Sequence, residues 1–85
     1  MDPATLLSDV AELLDRLGIE ARFEHLGGGS GGICMIRGRR VAFFDLDADP
    51  VTRADRCLAG LARLPELETL YVKPSLRELI DRAAS

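Results

Sequence analysis

The chain has no tryptophan, one tyrosine and three phenylalanines among 85 residues. Its core must therefore come from Leu, Ile, Val and Ala. Soft metal ligands are almost as scarce: one histidine, His25, and two cysteines, Cys34 and Cys57. A structural zinc site needs four ligands in paired short spacings, so these three scattered residues imply no metal site. A disulfide framework is excluded on the same count. No charge-free apolar run approaches the ~18 residues of a membrane span, and nothing at the N-terminus has the basic-then-apolar layout of a signal peptide. Basic residues are also short: 11 against 14 acidic, a net charge of −3. That balance runs opposite to the basic excess of nucleic-acid binders. The expectations are a cytoplasmic location, Cys34 and Cys57 as reduced thiols in packed positions, and neither a membrane nor a nucleic-acid partner.

What remains is an ordinary globular balance, 47% hydrophobic and 29% charged. The length fits one domain over residues 1–85, because chains rarely split below roughly 100 residues. Such a domain buries only about 60–65% of the surface its unfolded chain exposes. A core this thin is often completed by a second copy or another chain, so a homodimer or a protein partner is expected.

Residues 1–20, "MDPATLLSDVAELLDRLGIE", predict a helix marked at both ends. Asp2 caps it, Pro3 suits the first position and Gly18 the stop. Leu6, Val10, Leu13, Leu14 and Leu17 form one apolar stripe. "IEARFEHL" then alternates, with Ile19, Ala21, Phe23 and His25 on one side, the two-residue period of a half-buried strand. In that phase His25 is expected to be packed and hydrogen-bonded. "ICMIRGRRVAFFDLD" reads as a hairpin turning at Arg37-Gly38-Arg39, with Val41–Phe44 as the central strand. Asp49 and Pro50 open a second helix with a stripe of Val51, Ala54, Leu58, Leu61 and Ala62. "ETLYVKP" predicts a short fourth strand, and "SLRELIDRAA" a last helix whose Ser75 and Glu78 have capping-box spacing. The expected fold is α+β, ordered α-β-β-β-α-β-α. It is a small, mainly antiparallel four-stranded sheet with helices packed on one face.

Four groupings invite chemistry. Between Gly27 and Gly32 five of six residues are glycine, with Ser30 the exception. The string contains G-x-G-x-x-G, but dinucleotide binding needs a helix to follow, and here a strand follows. A kinase-like glycine loop between strands would need a lysine in "VAFF", where none stands. The run therefore predicts a flexible strand-to-strand connection able to order against a partner. "VAFFDLDADPVT" resembles the first motif of the haloacid-dehalogenase phosphatases, which implies Asp45 as nucleophile and Asp47 as general acid beside magnesium. The later motifs of that family are missing, and the ordinary reading is solvated carboxylates at a helix start. Asp45, Asp47 and Asp49 also imitate a calcium loop, but Pro50 stands where glycine is required and Arg56 where glutamate is. Arg37, Arg39 and Arg40 cluster at the hairpin tip. They could meet a phosphate or an acidic partner, or simply keep a strand edge soluble.

From Gly31 to Leu64, "GGICMIRGRRVAFFDLDADPVTRADRCLAGLARL" is similar in layout to the hairpin and active helix of the ImmA/IrrE-type metallopeptidases. That helix carries H-E-x-x-H, but Gly60, Leu61 and Leu64 occupy the ligand and base positions, so no catalytic residue carries over. The chain also resembles short bacterial proteins with a GG-x-C hairpin and a D-x-x-x-x-P helix start, which implies a bacterial origin. The leading expectation is thus a non-enzymatic interaction or self-association domain without catalytic residues, metal or cofactor. A second reading is a small-molecule or anion binder, with Gly27, Gly28, Gly29, Ser30, Gly31 and Gly32 acting together with Arg37, Arg39 and Arg40. A third is a metal- or thiol-dependent enzyme using His25, Cys34, Cys57 or the Asp45/Asp47 pair.

Overall fold

The computed structural model describes residues 2–84. Helix α1 (Pro3–Leu17) is closed at both ends as its sequence predicts. The Asp2 carboxylate accepts from Thr5 N–H, and Gly18 ends the helix at φ 71°. Strand β1 (Glu20–Glu24) follows, then β2 (Gly32–Ile36) and β3 (Arg39–Asp45). Helix α2 (Pro50–Leu61) is capped by Asp49 through Thr52 N–H, and α3 (Pro74–Ala83) ends the fold. Asp2 and Asp49 each place a carboxylate where helix N–H groups lack partners, which explains why both carboxyls sit below the ordinary aspartate value.

The sheet corrects the expected four-stranded, mainly antiparallel arrangement. Among the described residues it has three strands in the order β1-β3-β2. β3 is antiparallel to β2 but parallel to β1, in register from Glu20–Val41 to Glu24–Asp45. The cause is the connection over residues 25–31. Instead of turning tightly into a neighbouring hairpin, it steps across the end of β3 and places β2 on the far side. That step covers two strand spacings, about 9–10 Å, which a few residues of chain reach easily.

The expected fourth strand is absent for a different reason. Pro65–Glu68 winds into a 3-10 turn, and Leu70 N–H donates to Glu66 C=O. Arg77 then donates to the carbonyls of Leu67 and Leu70, so these groups are satisfied without a sheet partner. Val72 plugs into the core while Tyr71 is exposed, and neither joins the sheet. α3 also begins two residues earlier than its capping-box spacing suggests. Lys73 is its N-cap with no side-chain bond, and Glu78 instead pairs with Arg82 one turn on.

α1 and α2 pack on one sheet face, and α3 packs against those two helices. Val10, Leu13 and Leu14 of α1, Ala54, Cys57, Leu58 and Leu61 of α2, and Leu76 and Ile80 of α3 enclose Ala42 and Phe44 of β3. Within α2 the buried stripe runs through Cys57, whereas Val51 is exposed. Gly60 lets α2 approach β2: a β-carbon there would lie 3.0 Å from Ile33 Cβ. β1 is not half-buried as its alternation predicts; all five of its residues are exposed.

Candidate functional site

The C-terminal end of β3 is where the glycine run and the acidic turn meet. Asp45 ends the strand and is 1% exposed, the one buried charged residue among those described. Its carboxylate accepts from Leu26 N–H at 2.9 Å, Gly28 N–H at 2.7 Å and Asp47 N–H at 2.9 Å. Burial pushes its carboxyl up, but the backbone N–H groups of Leu26, Asp47, Gly28 and Ser30 outweigh that and hold it below the ordinary value. The solvated carboxylate expected at this position is thus a buried, ionised one. It is enclosed by the loop that it organises.

Asp47 extends the stitching to the surface. Its Oδ2 accepts from Gly27 N–H at 2.8 Å, and its Oδ1 lies 2.8 Å from His25 Nδ1. The His25 contact and then the Gly27 N–H lower the Asp47 carboxyl. His25 is exposed, with 74% of its side chain accessible, and its partner is this carboxylate rather than the core expected from the strand phase.

Two arginines one turn apart on α2 close the arrangement from below. Arg56 donates to the carbonyls of Ser30 at 2.5 Å and Gly28 at 2.9 Å, and its guanidinium lies 3.9 Å from Asp45 Oδ2. Arg53 donates to Asp45 and Ala48 carbonyls at 2.9 Å and to Leu46 at 3.2 Å, fastening the turn between β3 and α2. The glycines make the crossing passable. Gly31 has φ 124°, and a β-carbon there would lie 3.2 Å from Phe43 O.

This end of the molecule is a backbone-amide cradle already filled by the protein's own carboxylates. Asp45 is 1% exposed, and these N–H groups hold it as the carboxylate. Among the described residues no group of three His, Cys, Asp or Glu side chains is arranged to hold a metal ion. Cys57 lies in the core, where burial raises its thiol to about 12, whereas Cys34 is exposed on β2. Gly60 and Leu61, which stand where the metallopeptidase layout has histidine and glutamate, are spent on packing against Ile33 and the core.

The arginines expected to share an anion site with the loop lie at the other end of β3. Arg37 and Gly38 form the two-residue hairpin tip, with φ 49° and 79°. Arg39 begins β3, and Arg40 is ion-paired to Glu66, which lowers the Glu66 carboxyl. Arg39 and Asp45 are the two ends of a seven-residue strand, about 20 Å apart. The structure therefore brings Gly27, Gly28, Gly29, Ser30, Gly31 and Gly32 together with Asp45, Asp47 and Arg56, and not with Arg37, Arg39 and Arg40. The sequence marked Arg56 only as a residue that breaks a calcium loop, because an arginine on a helix gives no sign of the carbonyls that it will reach.

The second notable surface is the sheet face opposite the helices. Val41 and Phe43 form its centre, flanked by Arg22 of β1, Cys34 and Ile36 of β2, and Arg39. A broad, open depression of about 730 Å³ occupies its hairpin end, lined by Glu20, Arg22, Ile36, Arg39 and Val41 among others. None of the described helices is long and apolar enough to cross a membrane. No protein-family model matches this chain, and neither a curated protein nor a solved structure matches it significantly.

Proposed function

We propose that the chain is a protein-interaction or self-association module that works through its sheet, in the cytoplasm, and carries out no reaction of its own. One observation carries this reading: among the described residues the sheet has three strands with helices on one face, and neither outer strand has a further strand partner. Edge strands present rows of backbone donors and acceptors that another chain can satisfy. Exposed apolar side chains lie along these strands: Phe23 on β1, and Met35 and Ile36 on β2. The polar end of the molecule supports the same reading from the other direction. Its carboxylates and arginines are consumed in holding the glycine loop, which leaves a rigid frame around the open sheet. The shallow depression beside Arg39 and Ile36 suits a protein surface better than a small molecule, which usually enters a deep, largely apolar cleft.

Photo-cross-linking in cells of origin tests this reading. A photoreactive residue at Arg22, Cys34 or Ile36 is expected to capture the same chain or one reproducible partner. The same residue at Glu12 or Arg82, on the outer sides of the helices, is expected to capture none. Absence of capture at all three sheet positions would overturn the reading.

A further inference from the structure

The two sheet edges differ in what they offer. β2 is uncharged, and α2 packs closely over it at Ile33. β1, Glu20-Ala21-Arg22-Phe23-Glu24, is exposed at every residue and carries alternating charges on the uncovered face. Glu24 C=O accepts from Leu46 N–H on the β3 side. Because neighbouring residues of a strand direct their backbone groups to opposite edges, Ala21 and Phe23 turn theirs outward, away from the sheet.

Resting on the reading above, we propose that the partner is a second copy of this chain, and that β1 pairs antiparallel with its counterpart across a two-fold axis at Phe23. In that register Phe23 faces Phe23 of the other copy, and the two exchange both backbone hydrogen bonds. Arg22 faces Glu24 of the other copy, and Glu24 faces its Arg22. Charge complementarity selects this register. Centring the axis one residue earlier, on Arg22, would set arginine against arginine and Glu20 against Glu24. Within the chain Arg22 is ion-paired to Glu20, and Glu24, two residues on, acts on it from beyond pairing distance. The two-fold register gives Glu24 a cation and keeps Arg22 between two carboxylates. Phe23, 58% exposed and stacked on Phe44 at 4.9 Å between ring centroids, gains an aromatic neighbour. The product is a continuous six-stranded sheet with all helices on one side, because the axis runs perpendicular to the sheet.

Sedimentation equilibrium of the full chain reads this out. The wild type is expected to dimerise reversibly. Arg22→Glu and Glu24→Arg each set like charges opposite one another twice, and each is expected to weaken the dimer by on the order of tenfold or more. The double variant Arg22→Glu/Glu24→Arg restores both pairs and is expected to recover most of the loss. In a Cys34→Ser background, Phe23→Cys is expected to form an intermolecular disulfide on mild oxidation, since facing residues in such a pair lie about 5.5 Å apart at Cα. Ala21→Cys, opposite residue 25 of the other copy, is not. A chain that stays monomeric at millimolar concentration would overturn the proposal. So would a dimer indifferent to both charge reversals and not trapped by Phe23→Cys. In those two cases the interaction reading is decided separately by cross-linking at Arg22, Cys34 and Ile36.

Discussion

The two ends of strand β3 both depend on glycine, and they use it in opposite ways. At the hairpin end, Gly38 supplies a positive φ for a two-residue turn, with nothing within 4 Å of where its side chain would be. That end is held by strand pairing and the Arg40–Glu66 ion pair, and Arg37 and Arg39 are exposed. At the loop end, Gly31 and Gly32 allow the chain to pass against the Phe43 and Arg56 carbonyls, and Asp45, Asp47 and Arg56 tie it down. Gly27 to Gly32 look in the sequence like a free tether, yet this segment is stitched to two other parts of the fold. Glycine content therefore reports a backbone requirement, not mobility; what decides mobility is whether other groups bind the loop.

The comparison can be broken most severely at Asp45. Asp45→Ala leaves several buried N–H groups without an acceptor and Arg56 without its nearest carboxylate. The expected result is a thermal midpoint lower by on the order of 10 °C, with strand pairing at the hairpin end preserved in the variant's native-state exchange. Next comes Gly31→Ala, which combines an unfavourable φ with a 3.2 Å approach to Phe43 O. It should cost about 1–3 kcal/mol in urea unfolding. Gly38→Ala has the φ penalty without the collision and should cost about 1 kcal/mol, and Gly38→Asn less, since Asn tolerates that conformation. Arg37→Ala, at the solvated tip, should stay within about 0.5 kcal/mol of the wild type.

The two ends also separate by pH. Asp45 and Asp47 have carboxyls held below the ordinary value of 3.8, so each contributes stability that is present above that pH and lost as pH falls through the lowered value. Stability should therefore fall steeply below about pH 4, and Asp45→Asn should flatten that acid limb more than any change at the hairpin tip. Cys57 has the opposite sign. Its thiol rises from 9.0 to about 12, so its contribution is intact below pH 9.0 and disappears as pH climbs towards 12. Cys57→Ala should remove that alkaline loss. A thiol reagent at neutral pH should label Cys34 at once and Cys57 only on unfolding, which urea titration of the labelling rate would check.

Much of this fold was legible in the sequence where the signal is local. Asp2-Pro3 and Asp49-Pro50 start helices, Gly18 stops one, and Arg37-Gly38 marks a hairpin, because caps and turns are decided within a few residues. The strand order was not legible. Three strands in succession are compatible with a simple meander, and nothing in Gly27–Gly32 says whether the loop turns back or crosses over. Residues 70–72 carried a strand's alternation, but alternation records burial of Val72 and exposure of Tyr71 without recording a partner strand. The candidate site was half visible: the glycines and both aspartates stood out, but as fragments of catalytic and calcium motifs rather than as partners of one another. What was hidden is that Asp45 meets N–H groups 17 and 19 residues earlier. Backbone donors are the same in every residue, so a carboxylate bound by them leaves no pattern in side-chain identity. The nearest available signal was an aspartate directly after the apolar run Val41–Phe44, in a chain with an unexplained glycine segment.

Asp45 holds the glycine run as an ordered crossing over β3. Residue-resolved amide hydrogen exchange tests it most directly. Leu26, Gly28 and Asp47 N–H should exchange far more slowly than free-peptide rates in the wild type. In Asp45→Asn, still folded, they should accelerate by on the order of a hundredfold or more while the amides of β3 stay protected. Free-peptide exchange at Leu26 and Gly28 in the wild type would contradict the account.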